Sequence, residues 1–149
     1  MRDQPERIGR AKQDMSLEKR ERVLEEAADY LRGMPEVRFA YAHGSFLQPS
    51  LPFGDIDIAL YFFEEVPPER RLDLSLDIGV RLSHQLGVPV DAHPLNGASL
   101  GFIFSATQGR VLCSHNDDER FDFVERKRLE YFEFSILQRQ ITTDLLAGR

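Results

Sequence analysis

Between Val37 and Phe63 two short apolar runs flank a stretch that cannot be regular structure. Gly44 to Gly54 holds two glycines, two prolines and two serines, a composition that makes loops and admits at most one helical turn after Ser45. On one side, Val37 to His43 is short, β-branched and aromatic; on the other, Asp55 to Phe63 sets Ile56, Ile58, Leu60 and Phe62 at alternate positions. Both are strand patterns. Strand, loop, strand is the framework into which the rest of the chain must fit.

Helical patterns surround it. From Ser16, suited to an N-cap, Leu17, Val23, Leu24, Ala27, Ala28 and Leu31 recur near helical spacing until Gly33-Met34-Pro35 stops them. Pro67-Pro68 opens a second helix that runs to Leu86, with the rows Leu72/Leu76/Val80 and Leu74/Ile78/Leu82/Leu86 spaced by four. So broad an apolar surface is expected to be covered on more than one side. Gly87 ends it, Val88 to Leu95 predicts a third strand, Ala98 to Ala106 a short helix and Gly109 to Ser114 a fourth strand. A last helix is expected from Asp117 to about Leu146, its opening acids suited to the positive end of the helix dipole. Strands alternating with helices make this an α/β (α+β) chain. Residues 1–15 carry Pro5, Gly9 and scattered charges without periodicity and are expected to be a mobile lead-in; residues 16–149 are expected to form a single domain.

Charge and composition exclude several classes. Nineteen Lys and Arg against twenty-five Asp and Glu give a net charge of −6, which repels a phosphate backbone and argues against direct nucleic-acid binding. A single cysteine, Cys113, rules out an internal disulfide framework and a multi-cysteine zinc site and fits a reducing, cytoplasmic setting. Cys113 lies between Leu112 and Ser114 and reads as inert core. Met1 to Asp14 has no apolar signal core, and no window approaches the roughly twenty apolar residues of a membrane span. His84, His93 and His115 lack ligand spacing, so no zinc is expected; His43 either touches a ligand or packs within its strand.

The chemistry concentrates where the loop meets the second strand. Strand side chains alternate, so Asp55 and Asp57 project to one face and can share a site. Two carboxylates so placed repel unless a cation or proton lies between them, and Mg²⁺ is the natural cation, being held by carboxylates together with substrate phosphates. Gly44 permits close backbone approach, while the Ser45 hydroxyl and the amides after it can hold phosphate oxygens. Metal carboxylates beside a phosphate cradle form a phosphoryl-transfer site.

Gly44-Ser45 after a strand, a loop of nine residues and Asp55-Ile56-Asp57 opening the next strand resembles the DNA polymerase β-like nucleotidyltransferase superfamily. A third family carboxylate lies on a later strand, and Asp91 matches it in Gly87-Val88-Pro89-Val90-Asp91. Through Leu95-Asn96-Gly97-Ala98, Gly109-Arg110-Val111-Leu112 and the aromatic closing helix, the likeness is to the minimal nucleotidyltransferase (MNT) antitoxins of HEPN/MNT toxin-antitoxin pairs. That resemblance implies a small mixed sheet flanked by helices, Mg²⁺ and ATP as cofactor and donor, and a HEPN-type toxin as partner. It assigns Asp55, Asp57 and Asp91 to metal binding and catalysis and Gly44 and Ser45 to the nucleotide. The implied activity is transfer of AMP from ATP to a tyrosine of the HEPN ribonuclease. The loop departs from the family in carrying Leu47-Gln48-Pro49 where members often have Ala-Arg-Gly, and Gly54 where they have serine.

Two other readings stand beside this one: an antitoxin that acts by binding alone, and a nucleotidyltransferase for a small molecule, which needs a further substrate-binding domain. Template-directed polymerisation is excluded on size and charge. In the closing helix Phe121, Phe123, Tyr131, Phe132, Phe134, Ile136 and Leu137 are mostly expected to be core, leaving some surface for a partner or a second copy of the chain.

Overall fold

The computed structural model describes residues 11–148. Helix α1 (Leu17–Arg32) leads into β1 (Val37–His43), a single 3-10 turn (Ser45–Leu47), β2 (Ile56–Phe62) and α2 (Pro68–Leu86); then follow β3 (Val90–Pro94), α3 (Leu100–Ala106), β4 (Arg110–Ser114) and α4 (Asp117–Leu146). Ser16 caps α1 by accepting from the Lys19 amide, and Asn116 caps α4 by accepting from that of Glu119. Strand β3 is shorter than the expected run from Val88 to Leu95. Residues 1–10 of the expected lead-in lie outside the described residues. Within the rest of it, Gln13 exchanges two backbone hydrogen bonds with Phe53.

The four strands form one mixed sheet in the order β3-β2-β1-β4. β1 is antiparallel to both β2 and β4, while β2 and β3 are parallel and joined through α2. Alternation divides the sheet into two faces. Ile56, Ile58, Leu60 and Phe62 of β2, with Val90 and Ala92 of β3, pack against Leu24, Ala27 and Leu31 of α1 and Leu74, Ile78 and Leu82 of α2. Phe39, Tyr41, Ala59 and Tyr61 face the other way, towards Ile103 of α3 and Phe123 of α4. There Phe39 stacks on Tyr61 with ring centroids 4.5 Å apart, and Phe123 closes on Tyr61 at 4.7 Å, which seats the start of α4. Asn96 terminates β2 by accepting from the Phe62 amide and donating to its carbonyl. Cys113 is buried, and burial pushes its thiol up to about 11, in keeping with inert core.

Two expectations about helix faces are corrected. The α2 row Leu72, Leu76 and Val80 is exposed at 53%, 61% and 61%, because α2 lies on one side of the sheet with no further described layer outside it. On α4, Phe123 is buried and Tyr131 half-buried, but Phe121, Phe132, Phe134, Ile136 and Leu137 are exposed rather than core. Thirty residues extend about 45 Å at helical rise, further than the supporting layer reaches. Support from α3 continues to Phe104, which stacks on Tyr131 at 4.2 Å and meets Phe132 edge-on. Among the described residues no helix is long and apolar enough to cross a membrane.

The α2 correction is tested by urea unfolding. Ile78→Ala should destabilise by roughly 2–5 kcal/mol, whereas Leu76→Ala, two positions away on the exposed row, should stay within about 0.5 kcal/mol of wild type.

Candidate metal and nucleotide site

The face that holds Phe39 and Tyr61 also receives the odd-numbered polar residues at one end of the sheet. In register, His43 of β1 stands opposite Asp57 of β2, and Asp57 stands beside Asp91 of β3. Asp55, buried at 5% exposure, lies one step outside β2, where the Ile56 amide already bonds to the Pro89 carbonyl. Each of Asp55, Asp57 and Asp91 offers a carboxylate oxygen, and the three oxygens lie within 4.8 Å of one another. Residues that are 36 positions apart in sequence thus meet because β2 and β3 run parallel.

Gly44 is required here for two reasons. Its φ is +85°, a conformation that L side chains rarely adopt, and a Cβ at this position would lie 2.5 Å from Oδ2 of Asp57. The chain turns at Gly44 into Ser45–Leu47, closed by bonds from the Leu47 amide to the Gly44 carbonyl and from the Gln48 amide to that of Ser45. Ser45 is half-buried at the head of this turn. The structure therefore brings together all five residues singled out in the sequence, with Gly44 seated directly against Asp57.

Two histidines border the carboxylates. Nε2 of His93 is 3.1 Å from Oδ1 of Asp91 and orients that carboxylate, a role its lack of ligand spacing concealed. His43 carries a buried Nε2 without a protein hydrogen-bond partner. Burial holds its imidazole below the usual value, with His93 pushing the same way and Asp91 and Asp55 opposing. The edge of Phe102 from α3 packs against both rings, at 5.6 Å from His43 and 6.2 Å from His93. A set of three carboxylate oxygens is a hard-oxygen donor set suited to Mg²⁺.

Sequence reading also missed Arg20. It is 2% exposed, and its guanidinium donates to backbone carbonyls of the loop that begins at Ser45. The available signal was a charged residue placed in step with the apolar stripe Val23, Leu24, Ala27 and Leu31.

Residues 25–118 match the family profile described as polymerase beta, nucleotidyltransferase. The chain belongs to the polymerase β nucleotidyltransferase family. Those residues span well over half of the chain, from the middle of α1 to the start of α4, and include the glycine turn and all three aspartates. Among curated proteins no sequence match is found. Among solved structures, a chain from the complex of tri-AMPylated Shewanella oneidensis HEPN toxin with MNT antitoxin is similar, with a TM-score of 0.62 and 22% identity over 85% of this chain and 98% of that one. A chain from a toxin-antitoxin structure with AMP-PNP gives a TM-score of 0.63 and 23% identity, over 82% of this chain and 98% of that one. The MntA-HepT toxin-antitoxin structure gives 0.61 and 22%, over 85% and 98%. At these identities the likeness is one of fold, and it extends the family's small mixed sheet with flanking helices across most of the chain.

For this nucleotidyltransferase-family site the turn is a sensitive backbone position. Gly44→Ala is expected to lower stability by about 1 kcal/mol or more through the strained φ alone. By displacing Asp57 it should also weaken Mn²⁺ binding, followed by calorimetry, whereas Gly101→Ala, in open space on α3, should leave Mn²⁺ binding unchanged.

Proposed function

We propose that this chain is the antitoxin of a toxin–antitoxin pair and silences a HEPN-type ribonuclease by transferring AMP from ATP to one of its tyrosines. The observation that carries the reading is the convergence of Asp55, Asp57 and Asp91 within 4.8 Å, with Gly44 and Ser45 turning beside Asp57. Family membership supports nucleotidyl transfer as the reaction class. The fold neighbours support the donor and acceptor: one such structure contains AMP-PNP, and another holds a tri-AMPylated HEPN toxin with an MNT antitoxin.

In this reading Asp55 and Asp57 would hold Mg²⁺ for the triphosphate, and Asp91 would complete a second cation site. Mg²⁺ held there would supply positive charge against phosphate oxygens that would otherwise repel both the carboxylates and the incoming oxygen. Ser45 hydrogen-bonds a phosphate oxygen. Asp91, aligned by His93, takes the proton of the tyrosine hydroxyl, whose unperturbed pKa near 10 makes it a weak nucleophile at neutral pH. The tyrosine oxygen bonds to the α-phosphorus, the bond from that phosphorus to the bridging oxygen of the β-phosphate breaks, and pyrophosphate leaves. A cytoplasmic setting fits both the lone thiol and the need for ATP.

A protein acceptor fits the exposed part of α4. Phe134, Leu137, Ile141 and Leu145 run along one side of the helix, while Leu129, Phe132 and Ile136 lie towards the other, all exposed. So large an apolar area is the mark of an interface rather than of a free surface. The same surface would serve an antitoxin that acts by binding alone, so the two readings part at the chemistry.

Asp91→Asn separates them. With the toxin partner and labelled ATP, wild type should pass label to the toxin and Asp91→Asn should fall by about 100-fold or more, the scale of a lost acid–base group, while the complex still forms. A wild-type chain that binds the toxin but passes no label, in either Mg²⁺ or Mn²⁺, would sink the enzymatic reading. The interface is tested separately: Leu137→Glu with Ile141→Glu should weaken the complex by about tenfold or more in calorimetry and leave the thermal midpoint of the free chain unchanged.

A further inference from the structure

Resting on the nucleotide reading above, we propose that Arg20 is a positioning residue for the phosphate-binding loop. Its buried guanidinium gathers the carbonyls of residues 45–51 and so fixes Ser45 and the turn after Gly44 in the place that the triphosphate needs.

The loop requires a donor from outside itself. Pro49 and Pro52 have no N–H, so the peptide units that end in them offer a carbonyl and no amide donor. Those two carbonyls, of Gln48 and Leu51, accept from Arg20 at 2.9 and 2.7 Å. The Phe46 carbonyl accepts at 3.1 Å and that of Ser45 at 3.4 Å, and the Nε–H goes to Met15 at 2.9 Å, just ahead of α1. One planar group with five donors thus ties the helix to four points of the loop: the Ser45 and Gln48 carbonyls also accept from the Gln48 and Leu51 amides, while those of Phe46 and Leu51 take no bond from a loop amide and depend on the guanidinium. The charge lies beside a pair of packed rings: the guanidinium carbon sits 5.5 Å from the Phe46 centroid and 5.0 Å from that of Phe53. Phe53 in turn pairs with Gln13, so the far end of the loop, two residues before Asp55, is held by the same N-terminal segment.

Arg20 acts through the loop, and it is separable from the hold of α1 on the sheet. That hold comes from Val23, Leu24, Ala27, Ala28 and Leu31, which stay in place if the guanidinium is lost. Loss should therefore loosen the loop rather than the domain. Lysine cannot substitute, since a single ammonium cannot reach four carbonyls arranged around a fork.

The test compares wild type with Arg20→Lys and Arg20→Met by amide hydrogen exchange, by Mn²⁺ titration and by Mg-ATP titration. Exchange in residues 44–53 should rise by about tenfold or more while β2 and α2 keep their protection. Mn²⁺ binding by the three aspartates should hold within about twofold, and Mg-ATP should bind about tenfold more weakly. Unchanged loop exchange with unchanged Mg-ATP affinity in Arg20→Lys would overturn the proposal. So would loosening spread evenly through α1, β1 and β2, the mark of a merely structural residue. If the Arg20 variants do not fold, Phe53→Leu, which removes one ring from the guanidinium, is read by the same criteria. A wild-type chain that binds Mn²⁺ but no Mg-ATP would overturn the nucleotide reading instead, and the exchange data alone would then decide whether Arg20 holds the loop.

Discussion

The register of β2 is the constraint on which the rest depends. This strand is paired on both sides, and Ile56, Ile58, Leu60 and Phe62 on one of its faces are wholly buried. A slip by one residue would turn all four away from α1 and α2 and bring Asp57 and Tyr61 into that aliphatic core, at roughly 2 kcal/mol for each side chain that loses its packing. Against that total, two carboxylates at about 4 Å repel by roughly 1 kcal/mol in water and about 4 kcal/mol near a protein surface. Burial wins. The apolar face therefore sets where Asp57 stands, opposite His43 and beside Asp91, and the sheet can carry a cluster of carboxylates that would not assemble for its own sake.

The same division of faces explains why the site lies at one end of the sheet. Helices α1 and α2 cover the aliphatic face, and α2 comes close enough to β3 that a Cβ on Gly79 would lie 3.2 Å from the Val90 carbonyl. Ser83 of α2 accepts from the Val90 amide, so the outer edge of β3 is partly covered just before Asp91. On the opposite face, short α3 and the first turns of α4 cover Phe39, Tyr41 and Tyr61. Phe102 reaches only the flank of His43 and His93. The carboxylates lie beyond the aromatic stack, at the end of the sheet, with Asp55 buried and Asp57 and Asp91 half-buried.

What was legible in the sequence was what short-range periodicity encodes. Alternation in Asp55-Ile56-Asp57-Ile58 put both carboxylates on one face, and caps, prolines and glycines marked the ends of α1 and α2. Convergence with Asp91 came only with the family resemblance, since a parallel pairing between β2 and β3 leaves no local trace. Helical periodicity names an apolar stripe but not how many layers cover it, so Leu72, Leu76 and Val80 read as buried and are not. Arg20 was hidden for the reverse reason. A charge within an apolar stripe looks like an interruption, and only the three-dimensional path of a proline-rich loop supplies the carbonyls that make its burial favourable.

Helix α4 obeys a different balance from the rest of the domain. Its start is fixed by the Asn116 cap, by Arg120 donating to the Tyr41 hydroxyl at 3.0 Å and by Phe123 in the aromatic stack. Support by α3 ends near Phe132. Beyond that point Phe134, Leu137, Ile141 and Leu145 line one side of the helix, with Ile136 opposite, and in water it would draw little stability from packing, which is what sustains most protein helices. A stripe on one side would suit one neighbour. On the antitoxin reading the far half of α4 is therefore the segment that gains most from a partner. It projects from the domain while the carboxylates remain anchored in the sheet, which lets binding and chemistry be supplied by different parts of one small chain.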